Sequence, residues 1–277
     1  MDTFGSRAQR RPYLLMAPAI IVLSLCFLVP ISNVLLLSVS EPTVSLHNYA
    51  RILSVPLYLR VLVNTFENAA IVMAVCLLLA YPLAYSIIRR GPIVAALLLA
   101  AVAIPFWTGF LVRTFSWLVI FGSEGPVAEL MRMVGVRPPQ MLFTSFASLW
   151  GMAHILLPYM VMALYGVMKR INLQQLKAAE SLGAHPIVAF WQVFVPQSLP
   201  GIVNGCVLVF TMCLGFYVTP VLLGTPTDMM LAQLIGQQVE ELLAWGFAAA
   251  LSVMLMVITF SILAIYNRFF GLQRLWG

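Results

Sequence analysis

Between Ser181 and Thr227 the chain runs 47 residues without an Asp, Glu, Lys or Arg. Drawn out as one helix, that stretch would be ~70 Å long at ~1.5 Å per residue. The hydrocarbon core of a bilayer is only ~30 Å thick. The stretch must be divided, and Pro196, Pro200 and Gly201 stand where the division is expected: a short helix before them and a span over 202–217 after them. The rest of the chain has the same character. Of 277 residues, 62% are hydrophobic and 9% charged, whereas a soluble domain carries about 25% charged residues. The bilayer is therefore the solvent, and the net charge of +6 reads as basic loops rather than as a DNA or RNA site. Cys26, Cys76, Cys206 and Cys213 lie in apolar runs without CxxC spacing, which argues against a disulfide framework or a zinc site and for small buried hydrophobes.

The charge-free runs give six spans, hence an all-α integral membrane protein with a single transmembrane domain over 1–277. Residues 12–40 form a first crossing, too long an apolar run for a cleaved secretory signal, and carry Pro18 and Pro30. A second span covers 61–88, with Glu67 as its one charge, and stops at Arg89-Arg90. A third covers 93–121 and is expected to kink at Pro105. The loop 122–140 has room for a short helix over 128–134. A fourth span, 143–168, stops at Lys169-Arg170, and a sixth runs over 244–266.

An even number of spans puts both termini on one side. That side collects Arg7, Arg10, Arg11, Arg89, Arg90, Lys169, Arg170, Lys177, Arg268 and Arg274, against Arg51, Arg60, Arg113, Arg132 and Arg137 on the other. The positive-inside rule makes the first side, with both termini, cytoplasmic.

On this reading the longest cytoplasmic connection is 169–199. Asn172 can cap a helix over 173–182, Gly183 can close it in the left-handed region, and Pro186 can open a second helix over 187–195. Leu176, Ala179 and Leu182 fall on one apolar side of the first helix, and Phe190, Trp191, Phe194 and Val195 give the second an aromatic face. Spacing alone leaves two readings, a hairpin lying on the membrane surface or a docking element.

The run Lys177-Ala178-Ala179-Glu180-Ser181-Leu182-Gly183-Ala184, with Phe190, Val193, Pro196 and Pro200-Gly201-Ile202, resembles the EAA loop of ABC-importer inner-membrane permeases. Pro105-Phe106-Trp107, Val112-Arg113-Thr114, Leu157-Pro158-Tyr159 and the segment from Gly215-Phe216-Tyr217-Val218-Thr219-Pro220 to Leu222-Leu223-Gly224 are similar to the spermidine/putrescine branch of the type I importers. The resemblance implies the type I permease fold in a bacterial inner membrane, with the loop forming coupling helices that dock into a groove on an ATPase. It implies a second permease subunit, a paralogue in a heterodimer, two ATPase subunits that carry ATP and Mg, and a periplasmic solute-binding protein. The solute it implies is a polyamine, with iron(III), phosphonate or another small organic solute as the alternative. This sequence departs from the family where Lys177 replaces the usual Glu. Glu180, three residues on and on the same side of the helix, either supplies the missing acid or is simply solvated.

No chemistry of its own is legible in the chain. It has no GxxxxGK[ST] loop, so ATP and its Mg belong to a partner chain, and no HExxH or GxSxG motif. His47, His154 and His185 fall in separate regions, which leaves no metal set and disfavours the rival reading as an intramembrane enzyme. The candidates for a translocation path are the ionisable and hydroxyl groups within spans. Glu67 and Arg113 either pair with each other or face a solute cavity. His154 either lines a polar path or sits at a helix interface. Tyr159, Tyr217 and Thr219 place hydroxyls beside proline breaks, where freed carbonyls can meet a polar solute.

Overall fold

A bilayer offers a crossing segment no water for its backbone groups, so an apolar chain must close its hydrogen bonds locally, as helices. The computed structural model describes residues 11–41 and 43–270, and every regular element among them is helical. Asp2, Arg7, Arg10 and Arg274, which bear on the orientation, lie outside the described residues. Helices α1 (Arg11–Ser40), α3 (Pro56–Ile88), α7 (Ser145–Met168) and α13 (Trp245–Phe270) are each long and apolar enough to cross. A short α2 (His47–Ser54) occupies the polar stretch between the first two.

The third span is not the kinked rod expected over 93–121. Helix α4 (Pro92–Trp107) takes Pro105 into its last turn, and α5 (Phe110–Ile120) departs from it at 98°. The break falls at Thr108, which is extended at φ −87° and ψ 131°, and its hydroxyl donates to the carbonyl of Pro105 at 2.8 Å. Counted as one broken span, the bent pair is a sixth beside the five long apolar helices of the described residues. Beyond it, α6 (Pro126–Met133) is the short helix expected in the loop.

The division of the long uncharged stretch also falls elsewhere than expected. Helix α8 (Gln174–Ser181) ends before Gly183, and α9 (Pro186–Ala189) runs through a π-helical turn, Phe190–Phe194, into α10 (Val195–Leu214). Pro186–Leu214 is thus one crossing of 29 residues, with Pro196, Pro200 and Gly201 inside it. The physical reason is the π turn, in which the Val195 N–H bonds to Phe190 O. Its wider winding relieves the clash of a proline ring with the preceding turn. Two side chains add hydrogen bonds in the same stretch: the Gln197 amide donates to Val193 O at 2.8 Å and the Ser198 hydroxyl to Val195 O at 2.9 Å. The second helix of the 169–199 loop is therefore the first part of a span. The chain is divided at 183–185 and again after Leu214, where α11 (Val218–Leu223) and α12 (Leu231–Glu240) follow.

Helices α3, α7 and α10 pack on one another as the core. Lipid is as apolar as leucine, so close approach rather than hydrophobicity holds them together. Ala69, Cys76, Ala80 and Ala84 make a small-residue stripe on α3, buried against Met152, Leu156, Met160 and Leu164 of α7. On α10, Gly205 lies against Met160 and Gly201 against Val167. The Tyr81 and Ser198 hydroxyls, 2.8 Å apart, join α3 to the start of α10. These contacts bring the C-terminal ends of α3 and α7, with Arg89, Arg90, Lys169 and Arg170, to one end of the molecule, here termed the basic end. At the far end a second cluster of Ile52, Tyr58, Val61, Leu231, Leu234, Phe247 and Leu251 joins α2, α3, α12 and α13. There the Thr65 hydroxyl accepts from the Leu231 N–H at 2.8 Å, which ties the start of α12 to α3. The cysteines are free; Cys76 and Cys213 are buried as expected, whereas Cys26 is exposed on α1.

The α7–α10 contact is directly testable. A Cβ at Gly201 would stand 3.0 Å from Val167 Cβ, whereas one at Gly166 meets nothing within 4 Å. Gly201→Leu is expected to cost about 1–3 kcal/mol through overpacking and to lower the thermal unfolding midpoint in detergent, while Gly166→Ala leaves it unchanged or higher. Equal midpoints for Gly201→Leu and wild type would refute this packing.

Candidate functional site

At the basic end, the segment between α7 and α10 is a short lever with a defined bend. The Asn172 carboxamide oxygen accepts from the Gln174 N–H at 2.9 Å and so caps α8. Gly183 has φ +94°, and two bonds close the helix behind it, Gly183 N–H to Glu180 O at 3.0 Å and Ala184 N–H to Ala179 O at 3.1 Å. This is the Schellman arrangement, which needs a left-handed residue where Gly183 stands. His185 Nδ1 then accepts from the Ile187 N–H at 3.4 Å, and Pro186 opens the next helix.

The lever has two faces. Toward the membrane core, Phe190 and Phe194 stack at 5.6 Å and meet Tyr85 edge-on, with centroids 5.1 and 4.8 Å away. The Gln197 amide reaches Gln175 at 2.8 Å and ties α8 to α10. Leu176 is buried and Ala179 half-buried, as an inward apolar side requires. Leu182 does not join them: at the end of α8 it is 90% exposed, and Ile187 and Trp191 are each 63% exposed. Three large apolar side chains thus stand out from the basic end beside Lys177, Ala178 and Glu180, which are also exposed. An exposed apolar patch of this kind is a mark of a docking surface.

Toward the far end the structure brings three of the expected path residues together. Arg113 stands on α5, and Trp117, one turn beyond it, meets the His154 ring of α7 edge-on at 5.3 Å. Nε and Nη1 of Arg113 and Nδ1 of His154 are buried without hydrogen-bond partners. Thr219 of α11 reaches the neighbouring turn, where its hydroxyl lies 3.2 Å from that of Thr114. Gly151 makes this approach possible, since a Cβ there would come within 2.9 Å of Thr219 and 2.7 Å of Leu223. Sequence reasoning passed over Thr114 and Trp117, although they flank Arg113 at the next residue and the next turn.

The remaining candidates are separate. Tyr159 packs edge-on against Phe106 of α4 at 4.7 Å. The Tyr217 ring lies against Gly236 of α12, and its hydroxyl donates to a Glu240 carboxylate oxygen at 3.3 Å. Desolvation, and after it the Glu240 carboxylate, raise the pKa of the Tyr217 phenol, which keeps it a donor. Tyr217, Gln233, Gln237, Glu240 and Glu241 help to line a cavity of about 310 Å³. Glu67 is exposed on α3 and makes no ion pair with Arg113. Helix length explains its place: α3 has 33 residues, and ~20 residues counted back from Ile88 span the ~30 Å core. That count puts Glu67 at the hydrocarbon boundary, not within it.

Residues 52–270 match a protein family described as the binding-protein-dependent transport system inner membrane component. The chain is 34% identical over 226 residues to the spermidine/putrescine transport system permease protein PotB of Salmonella typhimurium, covering 81% of this chain and 78% of that one. It is 31% identical to the protein of the same name from Haemophilus influenzae, over 90% of this chain and 91% of the relative. Among solved structures, a bacterial alginate ABC transporter in complex with an alginate pentasaccharide-bound periplasmic protein aligns with a TM-score of 0.74 at 16% identity, over 94% of each chain. A bacterial ABC transporter involved in alginate import aligns with a TM-score of 0.71, also at 16% identity, over 94% of this chain and 96% of that one.

Because a Cβ at Gly183 meets nothing within 4 Å, the cost of replacing this glycine is conformational. Gly183→Ala is expected to destabilise the bend by about 1–2 kcal/mol, and Gly183→Asn by less, since Asn tolerates the left-handed region. Hydrogen exchange at the Ala184 amide reads this out: protection should fall in the order Gly, Asn, Ala. Equal protection in all three would mean that the bend does not need its positive φ.

Proposed function

Because the chain belongs to the family of binding-protein-dependent transport system inner membrane components, we propose that it is the permease subunit of an ATP-driven importer for a polyamine such as spermidine or putrescine. The observation that carries the solute class is identity of about a third, over four-fifths of the chain or more, to permeases named for those solutes. The charge distribution supports it. Glu67, Glu240 and Glu241 lie toward the far end, and carboxylates at a mouth raise the local concentration of a cation. Arg113 would repel a cationic solute, and we assign it, with His154, to the packing of α5 against α7.

In this reading the basic end is cytoplasmic, both termini lie there, and the far end meets a solute-binding protein in the periplasm. Leu182, Ile187 and Trp191 enter the groove of an ATPase subunit, which supplies the ATP and Mg that this chain has no loop to hold. The Schellman bend sets the angle of that contact, while the stacked Phe190 and Phe194 transmit its movement to α3 and α10 through Tyr85 and Tyr81. A second permease subunit, a paralogue of this one, completes the path, and two ATPases serve the pair. Lys177 and Glu180 stand beside the apolar patch, where each can meet a charge on the ATPase.

Two measurements test the proposal. Reconstituted with its second subunit, ATPases and binding protein, the complex should accumulate labelled spermidine or putrescine only with ATP, without competition from iron(III) or phosphonate. ATP-dependent uptake of one of those competitors instead would replace the solute class. Separately, Gly183→Val should leave the subunit in the membrane but reduce stimulated ATP hydrolysis at least about tenfold, because a β-branched residue fits the bend worst. Lys177→Glu should weaken stimulation if the ATPase has adapted to the cation, and Glu180→Ala should weaken it more than Lys177→Ala if Glu180 carries the acidic contact. Wild-type stimulation in Gly183→Val would remove the lever from the mechanism.

A further inference from the structure

Helix α10 packs on α7 and on α3 and leaves the rest of its surface open. Gly201 and Gly205 press on α7. Val203, Cys206, Val207 and Phe210 line an apolar groove shared with Ile262 and Leu263 of α13. Asn204 belongs to neither face. It is exposed, and its side chain makes no hydrogen bond among the described residues.

Depth makes this amide unusual. Leu214 ends α10, and the ~20 residues needed to cross ~30 Å reach back from it to Val195. Asn204 is ten residues from Leu214 and thus at the bilayer midplane, where an amide facing lipid is costly and nothing in the chain offsets the cost. Gln197 and Thr211 lie seven residues to either side, so the three polar side chains fall along one line of the helix, ~10 Å apart. The Thr211 hydroxyl donates its proton to Val207 O at 2.7 Å and presents lone pairs outward. The Asn204 carboxamide oxygen is likewise an acceptor. Acceptors are what a protonated amine needs, since an ammonium group has donors only.

We propose that Asn204 is a solute-contacting residue at the bilayer midplane, accepting hydrogen bonds from the protonated amines of the solute as it passes along α10. The choice of amine rests on the polyamine reading above; the exposure of this face to the aqueous path does not.

The test uses the assembled complex in proteoliposomes, measuring labelled spermidine accumulated per ATP hydrolysed. Asn204→Leu is expected to lower that ratio about tenfold, the loss of one hydrogen bond to a charged group. The complex should still co-purify, and binding-protein-stimulated ATP hydrolysis should stay within about twofold of wild type. Asn204→Gln, which keeps the amide, should recover part of the ratio. A wild-type ratio in Asn204→Leu overturns the proposal, and so does loss of the second permease subunit from the purified complex, which would make Asn204 an interface residue. A second measurement is independent of the solute. With the native cysteines replaced, Asn204→Cys should react with a small hydrophilic thiol reagent about tenfold faster than Leu78→Cys, because only ionised, hydrated thiol reacts readily. Leu78 is an exposed α3 residue well inside the span counted from Ile88. Equal rates overturn the assignment to the aqueous path. Fast labelling in a complex that moves no polyamine overturns the amine as ligand and the polyamine reading with it, while the aqueous face stands.

Discussion

The absence of water around a crossing segment governs this structure, because every backbone donor and acceptor must be met within the chain. Proline breaks that rule by removing an N–H, yet the chain carries Pro82, Pro158 and Pro200 inside its three core helices. The start of α10 shows how the fold responds. A π turn makes room for the ring of Pro196, and side-chain donors from Gln197 and Ser198 meet nearby carbonyls. The result is one continuous helical segment from Pro186 to Leu214 that joins the lever to the middle of the span.

Close packing is the second consequence of the same solvent. Hydrophobicity gives helices no reason to leave lipid for one another, so association depends on approach. The Ala and Cys stripe of α3 and the glycines of α10 provide it, with methionines and leucines of α7 filling the space between them. The lever attaches through aromatic stacking on Tyr85, so its inward half belongs to the core and its outward half, Leu182, Ile187 and Trp191, does not.

Much of the functional region was legible beforehand. Asn172, Gly183 and Pro186 announced a cap, a left-handed bend and a new helix, since each of these residue types answers a local stereochemical demand, and all three are met in place. The residues weighed for a translocation path were less so. Arg113 and His154 are 41 positions apart in the sequence, and only the 98° departure of α5 from α4 lays Arg113 against α7. Glu67 reads as a charge within a span because its neighbours are apolar; the length of α3 puts it at the boundary. Asn204 escaped notice because one amide in an apolar run resembles a packing residue until its face is seen to be open.

The sequence by itself determined that the chain is helical, that it is built of long apolar spans, which ends gather the basic residues and where the lever bends. Those properties follow from runs of uncharged residues against a fixed bilayer thickness and from single residues with restricted backbone angles. Tertiary structure alone decided that α4 and α5 break apart at Thr108 rather than bend at Pro105, that Pro196 and Pro200 lie within a span, and which side of each helix is left open. A proline states only that a hydrogen bond is missing; whether the helix breaks, kinks or rewinds depends on which neighbours can supply it.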